Sequence, residues 1–432
     1  MTAFSDTPDQ PADPARGSDM AAAGAGEAAT PPGPVMEVRP ATTPSPLKAA
    51  VSMPSDFRFD EVRAAHISLP PVNPPLGPLA AFHGNFHGSG FNTIFRPDNT
   101  VTPTPLPVPV GTTDNILELN LTQETLSFSA ALGSVPNRGS VQGDAFLNGV
   151  PYLQAINDVT TGHSIGIHFE PGLWVIVPPT KDPQEGSTLA RMASIPHGTT
   201  INAQGNFRTV AGPPVIAKVD ITPFVEGSPA TKIHFASQAA AAHGTPRIPQ
   251  DLASFINAGT ITQAILDDPN SVLRNAIAGQ HITETTVIQI STSPSSPLFG
   301  GGTDNIAFLW GNPAAVTSPH PTGQNAQAVE MTAVFWIETV QHKIVVPSFK
   351  VGQHPLILKP QATAPRQTLP TFNVRPPFAI THPRTITVPA TQIQYTQTVN
   401  LNFAGLTWPH VSVATLVPAA PLSVPPSVWT AP

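Results

Sequence analysis

HGNFHGSGFNTIFRP, residues 83–97, sets three glycines, two histidines and three phenylalanines within fifteen positions. In an extended strand alternate side chains face opposite sides, so Gly84, Phe86, Gly88 and Gly90 share one face. His83, Asn85 and His87 share the other. Glycine inside a strand marks a sharp bend or the close approach of another backbone, as at the corner of a closed sheet. One aromatic among those glycines suits a plug at the end of a barrel. The two histidines then point away from that packing and read as exposed or hydrogen-bonded in a sheet rather than as metal ligands, and no carboxylate partners accompany them closely enough to suggest zinc.

The rest of the chain agrees with a β protein. Its 432 residues are 40% apolar, enough for a large core, but only 11% charged. With 31 glycines and 54 prolines, this composition favours strands joined by proline-rich loops over long surface helices. The net charge of −7 carries no basic patch, which argues against a nucleic-acid partner. The absence of cysteine excludes disulfides, thiolate metal sites and a cysteine nucleophile. The N-terminal residues lack the basic and apolar regions of a secretory signal, and no apolar run of about 18 residues occurs, so a cytoplasmic protein without a membrane span is expected.

Along the chain, residues 1–55 read as a disordered Ala/Pro-rich tail and 56–79 as a proline-rich strap. Residues 80–417 read as the barrel domain, and 418–432 as a second proline-rich tail. Strands are expected at 84–96, 115–129, 152–158, 164–170, 173–178, 189–195, 199–204, 214–220, 284–292, 304–311, 329–341, 385–402 and 407–417. NILELNLT (115–122) places Leu117, Leu119 and Leu121 opposite Ile116, Glu118 and Asn120, as a half-buried strand with one polar face would. Residues 251–280 instead space Leu252, Phe255, Ile256, Ile261, Ala264 and Ile265 at helical intervals, so two short helices are expected in an insertion near 221–283. Proline-rich loops are expected near 343–384. GTTDNILEL (111–119) and GGTDNIAFL (301–309) share a turn-like Thr-Asp-Asn-Ile, too short to indicate a duplicated domain. The expected fold is all-β and mainly antiparallel, a barrel or sandwich with helix only as an insert.

Three segments in order resemble the nitrobindin-like haem-binding β-barrels of the calycin group, relatives of fatty-acid-binding proteins. Gly84, Phe86, Gly88 and Gly90 stand at the positions of that family's opening Gly-x-Trp-x-Gly-x-Gly strand, with Phe86 in place of Trp. GIHFEPGLW (166–174) is similar to its His-x-Glu-x-Gly-aromatic-aromatic strand through His168, Glu170, Gly172 and Trp174, and IPHGTTINAQG (195–205) looks like the hairpin that follows. IQYTQTVNLNFAGLTWPHVSVATL (393–416) resembles its last two strands through Pro409, His410, Ser412, Ala414 and Leu416. The expected folded region is much longer than a lone barrel of this kind, and the segments 220–327 and 343–384 have no counterpart.

The resemblance implies a haem cofactor with His410 as the iron ligand. Neutral imidazole is a common proximal ligand, and His410, Ser412, Ala414 and Leu416 share a strand face, with two small side chains leaving room for a flat macrocycle. Arg96 would meet a propionate or a neighbouring carboxylate. His168 and Glu170 share a face and read as a structural polar pair or as an acid–base pair. His197 lies at a Pro-His-Gly turn, and Tyr395 reads as core. Implied activities are peroxynitrite isomerisation or weak peroxidase chemistry. The alternatives are a lipid or aromatic-metabolite carrier without haem, a structural or assembly protein with a filled barrel, and an enzyme using His168 and Glu170. A homo-oligomer is compatible with each.

Overall fold

The computed structural model describes residues 73–111, 113–295, 300–311 and 325–429. Ten antiparallel strands form a closed barrel in simple up-and-down order. They are β1 Gly84–Pro97, β2 Asn115–Phe128, β3 Ala145–Asp158, β4 Ile165–Val177, β5 Thr188–Ile195, β6 Thr199–Ala211, β7 His281–Ser291, β8 Gln327–Val346, β9 Arg384–Phe403 and β10 Leu406–Pro418. Each pairs with the next, and β10 pairs back onto β1 to close the ring. Among the described residues no helix is long and apolar enough to cross a membrane.

The closing seam explains the glycines of β1. Gly88 lies opposite Leu416 and Gly90 opposite Ala414. A Cβ on Gly88 would stand 1.9 Å from the Thr415 carbonyl oxygen, and one on Gly90 would stand 2.1 Å from that of Val413. Only a strand without side chains at these points can approach β10 so closely. Phe86, on the same face, is buried in the base of the barrel with Leu79, Phe82, Phe128 and Trp174. Phe82 stacks on Phe128 at 4.6 Å, and Phe86 meets Phe128 edge-on at 6.0 Å. His83 and His87 are exposed on the outer face.

The other phenylalanines of β1, Phe91 and Phe95, face outward and are buried all the same. The chain between β6 and β7, residues 212–280, wraps the outside of β1, β2, β8, β9 and β10. It holds three short helices, α1 Ala253–Ala258, α2 Gln263–Asp267 and α3 Asn270–Ala276, where the sequence pattern suggested two. Its apolar residues Leu252, Ile261, Ile265 and Leu273 form one cluster with Phe91, Phe95, Leu117, Leu119 and Trp408. This covering corrects the expected half-buried β2. Leu117 and Leu119 face the insert outside, while Glu118, Asn120, Thr122 and Glu124 face the barrel interior.

Beneath the insert, β8 carries a fully buried acid. Glu338 accepts a hydrogen bond from Gln392 Nε2 at 2.6 Å, and its second oxygen has no partner. Gln392 and Gln280, the latter just before β7, exchange amide hydrogen bonds at 3.1 and 3.2 Å. Burial therefore pushes the Glu338 carboxyl up to about 8, against the opposing hydrogen bond from Gln392.

Several other expected elements differ. The strands read at 152–158 and 173–178 are parts of the longer β3 and β4, and β6 continues to Ala211. Residues 214–220, read as a strand, contain none. Residues 304–311 hold the end of a short strand, Gly302–Asn305, which pairs with β6, and then a turn of helix, α4 Ala307–Trp310. The shared Thr-Asp-Asn-Ile thus leads into a strand once and a helix once. In the proline-rich stretch, Leu356–Leu358 pairs with Phe372–Val374, which in turn pairs with Leu422–Ser423, beside the far ends of β8 and β9. The expected tail at 1–55 lies outside the described residues, as does most of the strap at 56–79.

Candidate functional site

The base of the barrel is filled, and the opposite end holds a cavity of about 440 Å³. This volume is typical of a small-molecule site. Its wall combines Ile94, Ile156, Ile195, Val399 and Leu401 with Leu309 from α4. Polar groups enter from Asn92, Asn120, Gln154, Gln397 and Ser412, and three histidines, His168, His197 and His410, share the space. The barrel is therefore not filled throughout, as the assembly-protein alternative required.

Strand register sets the polar row that holds His410. Asn92 lies opposite Asn120 on one side and Ser412 on the other. Asn120 Nδ2 donates to Asn92 Oδ1 at 3.3 Å, so the Asn92 amide nitrogen faces the other way. That nitrogen donates to Ser412 Oγ at 2.8 Å and to His410 Nε2 at 2.7 Å. His410 Nε2 is therefore the unprotonated ring nitrogen. Burial, reinforced by the neighbouring His168 and His197, pushes the imidazole down to about 3. His410 is neutral at any ordinary pH, and its Nε2 lone pair beside the cavity is taken up by Asn92.

Across the cavity, His168 ends a chain of buried charge. Its Nε2 meets Glu170 Oε2 at 3.1 Å. Glu170 is ion-paired with Arg191 and also accepts from the Tyr152 hydroxyl. Arg191 donates to Tyr152 Oη and to Gln397 Oε1, both at 2.7 Å. Its guanidinium also lies 5.3 Å from the Tyr152 and Phe335 ring centres. Gly172 makes room for this arrangement, because a Cβ there would lie 2.5 Å from the Tyr152 ring. Burial raises the Glu170 carboxyl, but the Arg191 charge and the hydrogen bonds from His168 and Tyr152 outweigh it and hold the group well below its ordinary value. Glu170 is thus a fixed anion that obliges His168 Nε2 to carry a proton.

One layer below the cavity lies Glu124. It accepts from Tyr395 Oη at 2.5 Å, Thr122 Oγ1 at 2.9 Å and Gln154 Nε2 at 3.4 Å. Burial raises its carboxyl to about 7, and these hydrogen bonds oppose the rise. Tyr395 and Gln154 both reach the cavity wall, so Tyr395 is core and lining at once.

Of the residues singled out in the sequence, His410, Ser412 and His168 line the cavity together. Ala414 does not; it is fully buried beneath, facing Gly90 and Tyr395 across the strands. Arg96 stands at the rim and pairs with Glu118. His197, on the turn between β5 and β6, donates from Nε2 to the Ile167 carbonyl at 3.1 Å, and burial lowers its pKa. Sequence reasoning did not select Asn92, Asn120, Gln397, Arg191 or Glu124. Their signal was polar residues at inward parity: Glu-x-Asn-x-Thr-x-Glu in β2 and a lone arginine in TLARMASI.

Among the described residues no group of three or more His, Asp or Glu could hold a bare metal ion. A single neutral imidazole suits a metal that arrives with its other donors in place. For His410 to ligate such a group, Asn92 would have to release Nε2. Comparison of the chain with family models, curated proteins and solved structures returns no match.

Proposed function

We propose that the protein binds a flat apolar molecule in the mouth of its barrel, with haem as the first choice and His410 as the axial ligand. One observation carries this reading: a neutral imidazole with an unprotonated Nε2 on the wall of an otherwise largely apolar cavity. Ser412 beside it is small, and Arg96, paired with Glu118 of the cavity wall, is a cation that an acidic substituent would meet. The resemblance of β1, β4, β9 and β10 to nitrobindin-like, calycin-type barrels supports the same choice. Bound haem would supply iron chemistry with small oxidants or nitrogen oxides. His410 would hold it once Asn92 released Nε2, and Ile94, Ile156 and Leu401 would give it an apolar wall.

A second reading is favoured by the Asn92 hydrogen bond, which already satisfies Nε2. A lipid or aromatic metabolite would need no iron ligand and would leave this row intact. Hemin titration separates the two. The haem reading expects a Soret band that His410→Ala diminishes strongly, and an unchanged spectrum in the variant refutes ligation by His410.

A further inference from the structure

We infer that His168, with Glu170 and Arg191 behind it, is a proton acceptor for the cavity, which thereby selects ligands carrying an acidic hydroxyl on a flat ring, of the phenol class. The inference deepens the binding reading above and rests on the cavity, not on haem. Three observations combine. His168 lines the cavity, and its Nε2 is committed to Glu170 at 3.1 Å. Glu170 is fully buried and is held as an anion by the buried Arg191. Nδ1 has no hydrogen-bond partner among the described residues, so the ring's remaining lone pair is the one left for a ligand.

A carboxylate held on one ring nitrogen fixes the tautomer and leaves the lone pair on the other. Glu170 and Arg191 are therefore positioning residues, and His168 is the group that touches the ligand. The step balances within the site. The O–H bond of the phenol breaks heterolytically, and its electron pair stays on oxygen. The proton adds to Nδ1 to give an imidazolium that keeps Nε2–H toward Glu170. Four charges then alternate as Arg191 cation, Glu170 anion, imidazolium and phenolate, with no net charge added to the buried region. The other titratable groups around His168 are consistent with this. His197 packs ring to ring at 5.8 Å and His410 interacts through space, both with lowered pKa values. Glu124 lies below with a raised pKa, Tyr152 is held above its ordinary value, and Glu118 on the same wall is paired with Arg96.

The test uses 4-nitrophenol, whose neutral form is colourless and whose phenolate is yellow. Full-length protein is mixed with the probe in buffer more acidic than the probe's own ionisation, and equilibrium dialysis measures binding. Wild type should bind the probe and show the phenolate band. His168→Gln, whose amide can still donate to Glu170, should bind with the phenolate fraction reduced at least tenfold. His168→Phe, which keeps the ring volume, should behave likewise, and circular dichroism establishes folding of each. His87→Gln, on the outer face, should match wild type. A bound probe that stays colourless in wild type, a phenolate band unchanged in both His168 variants, or failure of the probe to bind each overturns the inference. Hemin titration of the same preparation reports separately on the haem reading.

Discussion

Replacing Glu338 by Gln should stabilise the protein, and by an amount that grows with pH. The folded carboxyl sits at about 8 and its ordinary value is 4.5. Below pH 4.5 both folded and unfolded chains carry the proton, and ionisation contributes nothing to the difference between them. As the pH rises from 4.5 toward 8, the unfolded chain releases its proton while the folded chain keeps it, so stability falls. Above 8 both are ionised and the loss is complete. At about 1.4 kcal/mol per pH step, the ceiling is roughly 3 kcal/mol at pH 7 and roughly 5 kcal/mol above pH 8. Gln has nearly the same shape and can accept from Gln392 as Glu338 does. Its amide nitrogen would take the place of the carboxyl oxygen that already lacks a partner, so the neutral contacts nearly cancel. Urea melts of wild type and Glu338→Gln at pH 4.5, 7 and 9 read the result. The two proteins should be within about 1 kcal/mol at pH 4.5 and should diverge in favour of the variant by about 2–5 kcal/mol at pH 9. A difference that does not change with pH, or a variant less stable at pH 9, would show that the fold does not raise the Glu338 carboxyl and refute the reasoning.

Three further outcomes follow from other contacts. Gly90→Ala pushes a methyl group to 2.1 Å from the Val413 carbonyl at the closing seam and should cost about 3 kcal/mol or more in urea melts; a loss under about 1 kcal/mol would mean the seam yields easily. Arg191→Met leaves Glu170 as an unpaired buried charge and should cost about 3–5 kcal/mol. Adding Glu170→Gln should recover at least half of that, and no recovery would contradict the ion pair as the cause. Asn92→Ala removes the hydrogen bond that occupies His410 Nε2 and should tighten hemin binding about 2- to 10-fold; weaker binding in spectral titration would mean Asn92 helps rather than competes.

Alternation made much of this legible. The parity of Gly88, Gly90 and Phe86 identified a strand that another backbone approaches, and the parity of His410 and Ser412 put them on one face, which proves to be the cavity face. Alternation does not say which face is inside. In β2 the leucines suggested the core, yet they face an insert whose contacts span more than a hundred residues of chain. The polar face proved to be the lining because the cavity tolerates polar groups that are paired across strands. Arg191 was missed for a related reason. A charge in an apolar strand is informative only when its partner is known, and Glu170 meets it through strand pairing that sequence spacing does not reveal. Ala414 shows the limit of a face assignment, since it shares the face of His410 but lies below the cavity floor.

The most direct test of the central claim replaces the imidazole from solution. His410→Gly removes the side chain and leaves a small space beside Ser412 and Asn92. Hemin titrations of this variant, with and without millimolar imidazole, should show a weakened Soret band that free imidazole restores to the wild-type position. A variant that binds hemin with the wild-type spectrum and affinity, with imidazole making no difference, would contradict His410 as the ligand.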